Sequence, residues 1–299
     1  MKVGEVAVVG RPNAGKSTLV NAFVGEKVAI VSDKPQTTRK RILGIARRPG
    51  IEIALVDTPG IHRPQFRMNA AMVREATDAL ASADAILFVV DAADERGAGD
   101  KHIGGLALRA GVPVVLAVNK IDLLRKDRLL PLLAALGAES PYKDFGDIVP
   151  VSARSGESVE RLFEVLAKVL PEGDAAYPDD FLTATPETEW IGEVIREKLL
   201  ERTRDELPFA HAVVVESVRP GDGKDITVVT ASVVVEREGQ KGIIVGKGGS
   251  MIRDIGTAAR EELERELGRK FYLELTVRVQ PDWRDDERFL SQLRGTPEA

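Results

Sequence analysis

The sequence predicts a doubly wound α/β fold, a mostly parallel sheet with one antiparallel strand, followed by a smaller α+β domain. Three observations carry this. Short β-branched runs alternate with helical patterns through the first 170 residues. The polar motifs of that half fall just after apolar runs, where open α/β sheets bind their ligands. Beyond residue 186 the rhythm changes to helix, two strands, two helices and a strand.

In chain order, strands are expected near 3–9, 42–47, 51–56, 85–91, 112–118 and 147–151, with helices near 16–23, 67–82, 100–110, 125–137 and 156–169. Arg48-Pro49-Gly50 is a hairpin signal between strands 42–47 and 51–56, which makes that pair antiparallel. Residues 171–186 are proline-rich, acidic and without period, so they are expected to link a first domain (1–170) to a second (187–299, with a C-terminal tail). The second domain opens with a helix over 187–206, with Trp190, Ile191, Val194, Ile195 and Leu199 at helical spacing. Strands 211–218 and 226–236 follow, joined by Arg219-Pro220-Gly221-Asp222-Gly223. Then come an aliphatic turn with Gly246-Lys247-Gly248-Gly249, a helix over 250–267 and a strand over 271–279.

Composition agrees with two domains. The 299 residues exceed one ordinary domain, and 43% apolar content suffices for proper cores. There is no cysteine, which excludes disulfides, thiol catalysis and cysteine metal sites. His62, His102 and His211 make no ligand cluster, and His62 reads as an exposed loop residue near the nucleotide. No run of 18 apolar residues, signal pattern or lipidation motif occurs, so a soluble cytoplasmic protein is expected.

The first chemical motif is GRPNAGKS, from Gly10 to Ser17, between a strand and a helix. It fits G-x-x-x-x-G-K-S/T in the context that gives this pattern meaning. Gly10 and Gly15 allow a tight loop whose backbone N–H groups approach phosphate oxygens, and Arg11, Pro12, Asn13, Ala14 and Thr18 complete the contact set. Lys16 can reach the β- and γ-phosphates, and the Ser17 hydroxyl can ligate Mg2+.

The base is read further on. The apolar run Val114–Val118 ends in Asn119-Lys120-Ile121-Asp122, an N-K-x-D. At the end of a buried strand, Asp122 can accept from both the N1–H and the exocyclic amine of guanine. Adenine offers neither donor. Asn119 can bridge to the phosphate loop, the Lys120 stem can lie over the base, and Ser152-Ala153 can offer a backbone N–H to the guanine carbonyl.

Between these lies Asp57-Thr58-Pro59-Gly60 at the end of a strand. Asp57 can hold Mg2+ through water, and the Gly60 N–H can sense the γ-phosphate. In Pro35-Gln36-Thr37-Thr38-Arg39, Thr38 is expected to close over the metal, with Thr37 the alternative. Ile61 stands where many small GTPases carry a water-orienting glutamine, so intrinsic hydrolysis should be slow or assisted. Asn13 can assist by ligating a monovalent cation such as K+, although asparagine there is equally a turn former. The catalytic set is thus Lys16, Thr38, Asp57, Gly60 and Asn13.

These elements in this order resemble the translation-factor-related GTPases, and GRPNAGKS, PQTTR and DTPGIH resemble the Era family in particular. The resemblance implies a Ras-like G domain and a hydrophobic residue at Ile61. In the second domain, Gly246–Gly249 within the α-β-β-α-α-β order resembles a type II KH domain, whose G-x-x-G loop lets a nucleic-acid backbone approach while an aliphatic groove holds four nucleotides. Its expected RNA contacts are Lys241, Ile244, Gly246, Lys247, Gly248, Gly249 and Arg253.

Bulk charge does not advertise a nucleic-acid binder. Residues 181–299 hold 18 Lys/Arg against 23 Asp/Glu, whereas the first 180 hold 24 of each. Lys241, Lys247, Arg253 and Arg260 nevertheless gather around the loop and the helix after it, which favours a specific single-stranded target over non-specific binding.

The joined G and KH domains, with Glu206-Leu207-Pro208-Phe209 between them, resemble Era across nearly the whole chain. That implies GTP-controlled binding to the 3′ end of small-subunit ribosomal RNA during small-subunit assembly, by a monomer that does not bind DNA. It also implies weak peripheral membrane association, for which the sequence carries no signal. Three other readings compete. A metabolic phosphotransferase would need a second substrate loop. A GTPase of tRNA modification would lack the KH module and carry a C-terminal cysteine. An RNA-binding module with a structural nucleotide would not turn over.

Overall fold

β1 (Lys2–Val9) buries Val6 and Val8 on one side and Ala7 and Val9 on the other, so it belongs in the middle of a sheet covered on both faces. The computed structural model describes residues 1–61, 66–94, 97–221 and 225–294. They form one unit up to Ala184 and another from Thr185 on, the second also taking in Ser32–Lys34 and Phe66–Met68.

The first unit is a six-stranded sheet. Its order is β2 (Ile42–Arg48), β3 (Ile51–Asp57), β1, β4 (Ala85–Asp91), β5 (Val114–Asn119) and β6 (Asp147–Pro150). β2 pairs antiparallel with β3 and the other neighbours are parallel. Register aligns the carboxyl ends, Val8 opposite Asp57 and Asp91 opposite Asn119, so the functional residues emerge along one rim. On one face, α1 (Lys16–Val24) and α5 (Val159–Val169) bring Leu19, Val20, Phe23, Leu162, Phe163 and Leu166 onto Val6, Val8 and Leu87. On the other, α2 (Arg67–Ser82), α3 (Ala98–Arg109) and α4 (Lys126–Ala138) contribute Ala76, Leu80, Ile103 and Leu136 against Ile86, Phe88 and Val90. α5 starts later than its pattern predicts, because Gly156 and Ser158 take left-handed conformations ahead of it.

Residues 171–183 are strapped along this sheet. Glu172 bridges to Lys2 and Thr183 to Gly44. The Ile45 N–H donates to Leu182 O at 2.8 Å. The Arg47 guanidinium donates to the carbonyls of Pro178 (2.7 Å), Phe181 (2.8 Å), Asp179 (3.3 Å) and Tyr177 (3.4 Å). Its Nε pairs with buried Glu52 at 3.0 Å, and the other Glu52 oxygen accepts the Ala176 N–H. A segment with no period of its own is thereby held by the sheet's edge strand.

The second unit has α6 (Glu187–Arg202), β7 (His211–Pro220), β8 (Ile226–Val235), α7 (Glu238–Val245), α8 (Ser250–Leu267), β9 (Lys270–Val279) and α9 (Glu287–Arg294). β7 is antiparallel and β9 parallel to the central β8. Val229, Ala231, Val233 and Val235 of β8 form the core with Ile191, Val194, Ile195, Ile255, Ala259 and Leu263. α6 stops at Arg202, short of the expected end, where the Thr203 hydroxyl bonds Leu199 O. Lys198 of α6 reaches Glu262 of α8 at 2.5 Å as well as Glu201 and Glu197. Burial opposes that ammonium, but the three carboxylates outweigh it and hold its pKa above the ordinary value.

α9 is not anticipated by the sequence, which reads the stretch after Pro281 as an acidic tail. Here Trp283 is fully buried and donates to Ala210 O at 3.3 Å, while Asp286 caps α9 by accepting the N–H groups of Arg288 and Phe289.

Candidate functional site

The phosphate loop is shaped by contacts that only glycine allows. A Cβ on Gly10 would lie 2.3 Å from Val89 O, and one on Gly15 would lie 2.3 Å from Asn119 Nδ2. Asn13 stands exposed in the left-handed region at φ 65°, which gives its turn-forming role a structural ground. Lys16 starts α1, nearly buried, and donates to Arg11 O at 3.2 Å and Gly10 O at 3.3 Å, so its ammonium is folded into the loop. Burial pushes the Lys16 pKa down, against the pull of Asp57.

Three oxygen-bearing side chains converge beside it. Ser17 Oγ donates to Asp57 Oδ2 at 2.6 Å and lies 2.8 Å from Thr38 Oγ1, which itself donates to Asp57 Oδ2 at 3.2 Å. The other carboxylate oxygen, Asp57 Oδ1, is buried with no hydrogen-bond partner among the described residues. Burial pushes the Asp57 pKa up, while Lys16, Ser17 and Thr38 lower it. A buried carboxylate with two hydroxyls on one oxygen and its other oxygen orphaned is a donor set suited to a hard divalent cation such as Mg2+. Of the two threonines, both buried, Thr38 is the one whose hydroxyl joins this cluster. Gly60 packs on the loop, a Cβ there falling 2.7 Å from Pro12 N. Ile61 is buried in the core with Val9 and Val56. His62 lies outside the described residues.

The base-reading turn is tied to the loop. Asn119 Nδ2 donates to Ala14 O at 2.9 Å, and Asn119 Oδ1 accepts the Ala153 N–H at 3.0 Å. Ser152 Oγ donates to Asp122 Oδ1 at 2.6 Å and accepts the Ser155 N–H at 3.1 Å. The Ser152 N–H donates to Glu157 O at 3.0 Å and the Ala153 N–H donates to Asn119 Oδ1, so both residues are tied into the base-reading turn. Lys120 takes a left-handed conformation and reaches Asp91, a residue the sequence did not mark although it ends β4 as Asp57 ends β3. Arg11 pairs with Asp94 and Asp100, each at 3.2 Å. Thr18 follows in the first turn of α1.

In the second unit, Gly246 (φ 71°), Gly248 (φ 59°) and Gly249 (φ 78°) make a left-handed turn between α7 and α8. A Cβ on Gly246 would lie 2.7 Å from Met251 Cβ, whereas Gly248 and Gly249 face open space. Lys241, Lys247 and Arg253 stand on α7, the turn and α8, with no ion pair among the described residues. Arg260 is paired with Glu264 at 3.3 Å and does not extend the strip. Ile244 departs from its expected place at the surface. It is fully buried in the core, and Ile243, 53% exposed, presents the aliphatic surface instead. Helical phase decides this, since Ile244 falls one turn beyond buried Gln240.

Comparison with known proteins agrees with the geometry. The family described as 50S ribosome-binding GTPase matches residues 5–120, and the KH domain family matches residues 206–284. GTPase Era of Geobacter metallireducens is 46% identical over 293 residues, 98% of this chain and 97% of that relative. GTPase Era of Geobacter sp. strain M21 is also 46% identical, over 97% of this chain and 96% of its own length. A crystal structure of an Aquifex aeolicus Era variant bound to GDP·AlF4− superimposes with TM-score 0.94 at 39% identity, covering 98% of this chain and 99% of that one. A crystal structure of Era with MgGDPNP and nucleotides 1506–1542 of 16S ribosomal RNA gives TM-score 0.95 at 39% identity, covering 98% of both chains. The chain belongs to the Era family of GTPases.

Proposed function

We propose that this GTPase binds the 3′ end of small-subunit ribosomal RNA under the control of its nucleotide and acts in small-subunit assembly. The observation that carries the reading is one chain holding both the Ser17–Thr38–Asp57 oxygen cluster and an exposed G-x-x-G turn. In the relative with MgGDPNP and 16S RNA, nucleotide and RNA are bound together.

Mg2+ would supply charge neutralisation at the β- and γ-phosphates, held by Ser17, Thr38 and Asp57. Lys16 would add a second positive charge from within the loop, and the Gly60 N–H would sense the γ-phosphate. Asp122, aimed by Ser152, reads the guanine edge. With Ile61 in the core, no side chain at that position orients water, and turnover is slow without help. Asn13 supplies one route to help, by ligating K+ at the phosphates. Potassium should then accelerate hydrolysis over sodium, and Asn13→Ala should abolish the difference while GDP binding survives. Equal rates in the two salts would leave Asn13 a turn residue.

The working units are a G domain over 1–170, a connecting segment over 171–186 and an RNA-binding domain over 187–299. The RNA backbone would lie against Gly246–Gly249, with Lys241, Lys247 and Arg253 meeting phosphates. The protein would work as a cytoplasmic monomer. None of the described helices is long and apolar enough to cross a membrane, and any membrane association would be peripheral. Binding of a labelled 3′-end RNA against a scrambled RNA and a DNA of the same sequence tests the reading. A clear preference for the native RNA is expected, and equal binding of all three would overturn it.

A further inference from the structure

We infer that Asp91 is a positioning residue for the purine base, holding the Lys120 side chain stretched across the base site. The inference rests on the guanine-site reading above. β4 ends in Asp91, in register with Asn119, the first residue of the N-K-x-D turn. One Asp91 oxygen accepts the Ala93 N–H at 2.8 Å, and the other accepts the Lys120 ammonium at 2.6 Å. Between them the Ala92 N–H donates to Asn119 O at 2.8 Å. Two bonds thus fasten the loop after β4 to the base-reading turn, and the Ala93 N–H holds the Asp91 carboxylate in place.

Lys120 is fixed at both ends. Its backbone is left-handed at φ 63°, uncommon for a residue with a Cβ, and this sets where the stem departs. Its ammonium is anchored on Asp91, and its Cε comes within 3.9 Å of the Cβ position of Gly15. The four-carbon stem is therefore drawn taut beside the phosphate loop. A free lysine stem would lose its rotamer freedom on stacking against a base, and here that freedom is already gone before the base arrives. The pair is partly shielded, with side-chain exposures of 30% and 18%, so water screens it less than a surface pair. Asp122 reads the edge of the base, and the Asp91–Lys120 rail covers its face.

The test is a double-mutant cycle on dissociation of GDP and of inosine diphosphate, which lacks the exocyclic amine that Asp122 reads. Asp91→Asn removes the charge and keeps an acceptor for the Ala93 N–H, while Lys120→Met keeps the stem and removes the ammonium. Each should speed release of both nucleotides about tenfold. The double variant should be no worse than the more severe single one. The GDP-to-inosine ratio should stay at the wild-type value, because the edge reader is untouched, and Asp91→Glu should recover part of the loss. Additive losses, or wild-type release rates in Asp91→Asn, would overturn the inference. So would a changed ratio, because it would mean Asp122 had moved. If Asp91→Asn does not fold, Lys120→Met reads the same pair from its other end, and wild-type rates there would overturn the inference alike. Wild-type protein binding ADP as tightly as GDP would instead sink the guanine reading itself.

Discussion

Replacing Asp122 by asparagine should convert the site from guanine to xanthine nucleotides. The Ser152 hydroxyl donates to Asp122 Oδ1 at 2.6 Å, which fixes the side chain and leaves its second oxygen to meet the base. Guanine presents two donors on that edge. In the Asp122→Asn protein the Ser152 hydroxyl still donates to the amide oxygen, which turns the new NH2 group towards guanine's amine. Donor then faces donor, and an unmatched buried polar pair costs about 1–3 kcal/mol. That is roughly ten- to hundred-fold in affinity for GTP. Xanthine carries an oxygen where guanine carries the amine, so XTP should gain what GTP loses. Displacement of a fluorescent guanine nucleotide by GTP, XTP and ATP measures all three affinities. Ser152→Ala provides the companion measurement. It releases the aim without changing the edge, so GTP should weaken about three- to ten-fold with no swing to XTP. An Asp122→Asn protein that still prefers GTP to XTP would refute the reasoning.

Lys247→Asp with Gly248→Asp puts two negative charges beside the RNA phosphates, at a position where aspartate tolerates the left-handed φ of 59° at about 1 kcal/mol. RNA affinity should fall about tenfold or more with basal hydrolysis unchanged, and retained affinity in the folded double variant would make the turn a hinge only. Arg47→Ala leaves four carbonyls and buried Glu52 without their guanidinium and should cost about 3 kcal/mol, lowering the melting temperature by roughly 6–12 °C. Arg47→Lys should not rescue it, since one ammonium cannot span those acceptors. The Glu160 carboxyl is held below its ordinary value of 4.5 by hydrogen bonds from Arg48. A depressed carboxyl stabilises above its unfolded pKa, and that contribution is lost as pH falls through the lower folded value. Glu160→Gln should therefore melt slightly earlier at pH 7, by about 0.5 kcal/mol after screening, and match the wild type in acid.

Much of this was legible in the sequence for a physical reason. Fully buried parallel strands must be near-continuous apolar runs, and β4, β5 and the second half of β1 are. Phosphate loops need glycine where another group comes too close for a Cβ, and Gly10 against the Val89 carbonyl and Gly15 against the Asn119 amide stand at such points. Helical phase within a short element was less legible, so Ile244, expected at the RNA, lies in the core while Ile243 is exposed. Backbone donors carry no residue signature, and nothing in Ser152-Ala153 says that Glu157 and Asn119 claim their N–H groups. The strap over 171–183 has no period because its hydrogen bonds come from Arg47 and the edge of the sheet. α9 hid inside an acidic stretch, although Asp286 ahead of Glu287, with Phe289 and Leu290 buried behind it, is an N-cap signal.

The most direct test of the account compares the affinity of the 3′-end ribosomal RNA for the protein loaded with Mg·GDPNP and with GDP. Thr38 and Gly60 are the groups proposed to respond to the γ-phosphate, and a nucleotide can shift RNA binding only by its different hold on the two states. The account predicts tighter RNA binding with GDPNP and, by reciprocity, tighter GDPNP binding when RNA is present. Equal RNA affinity in the two nucleotide states would contradict it.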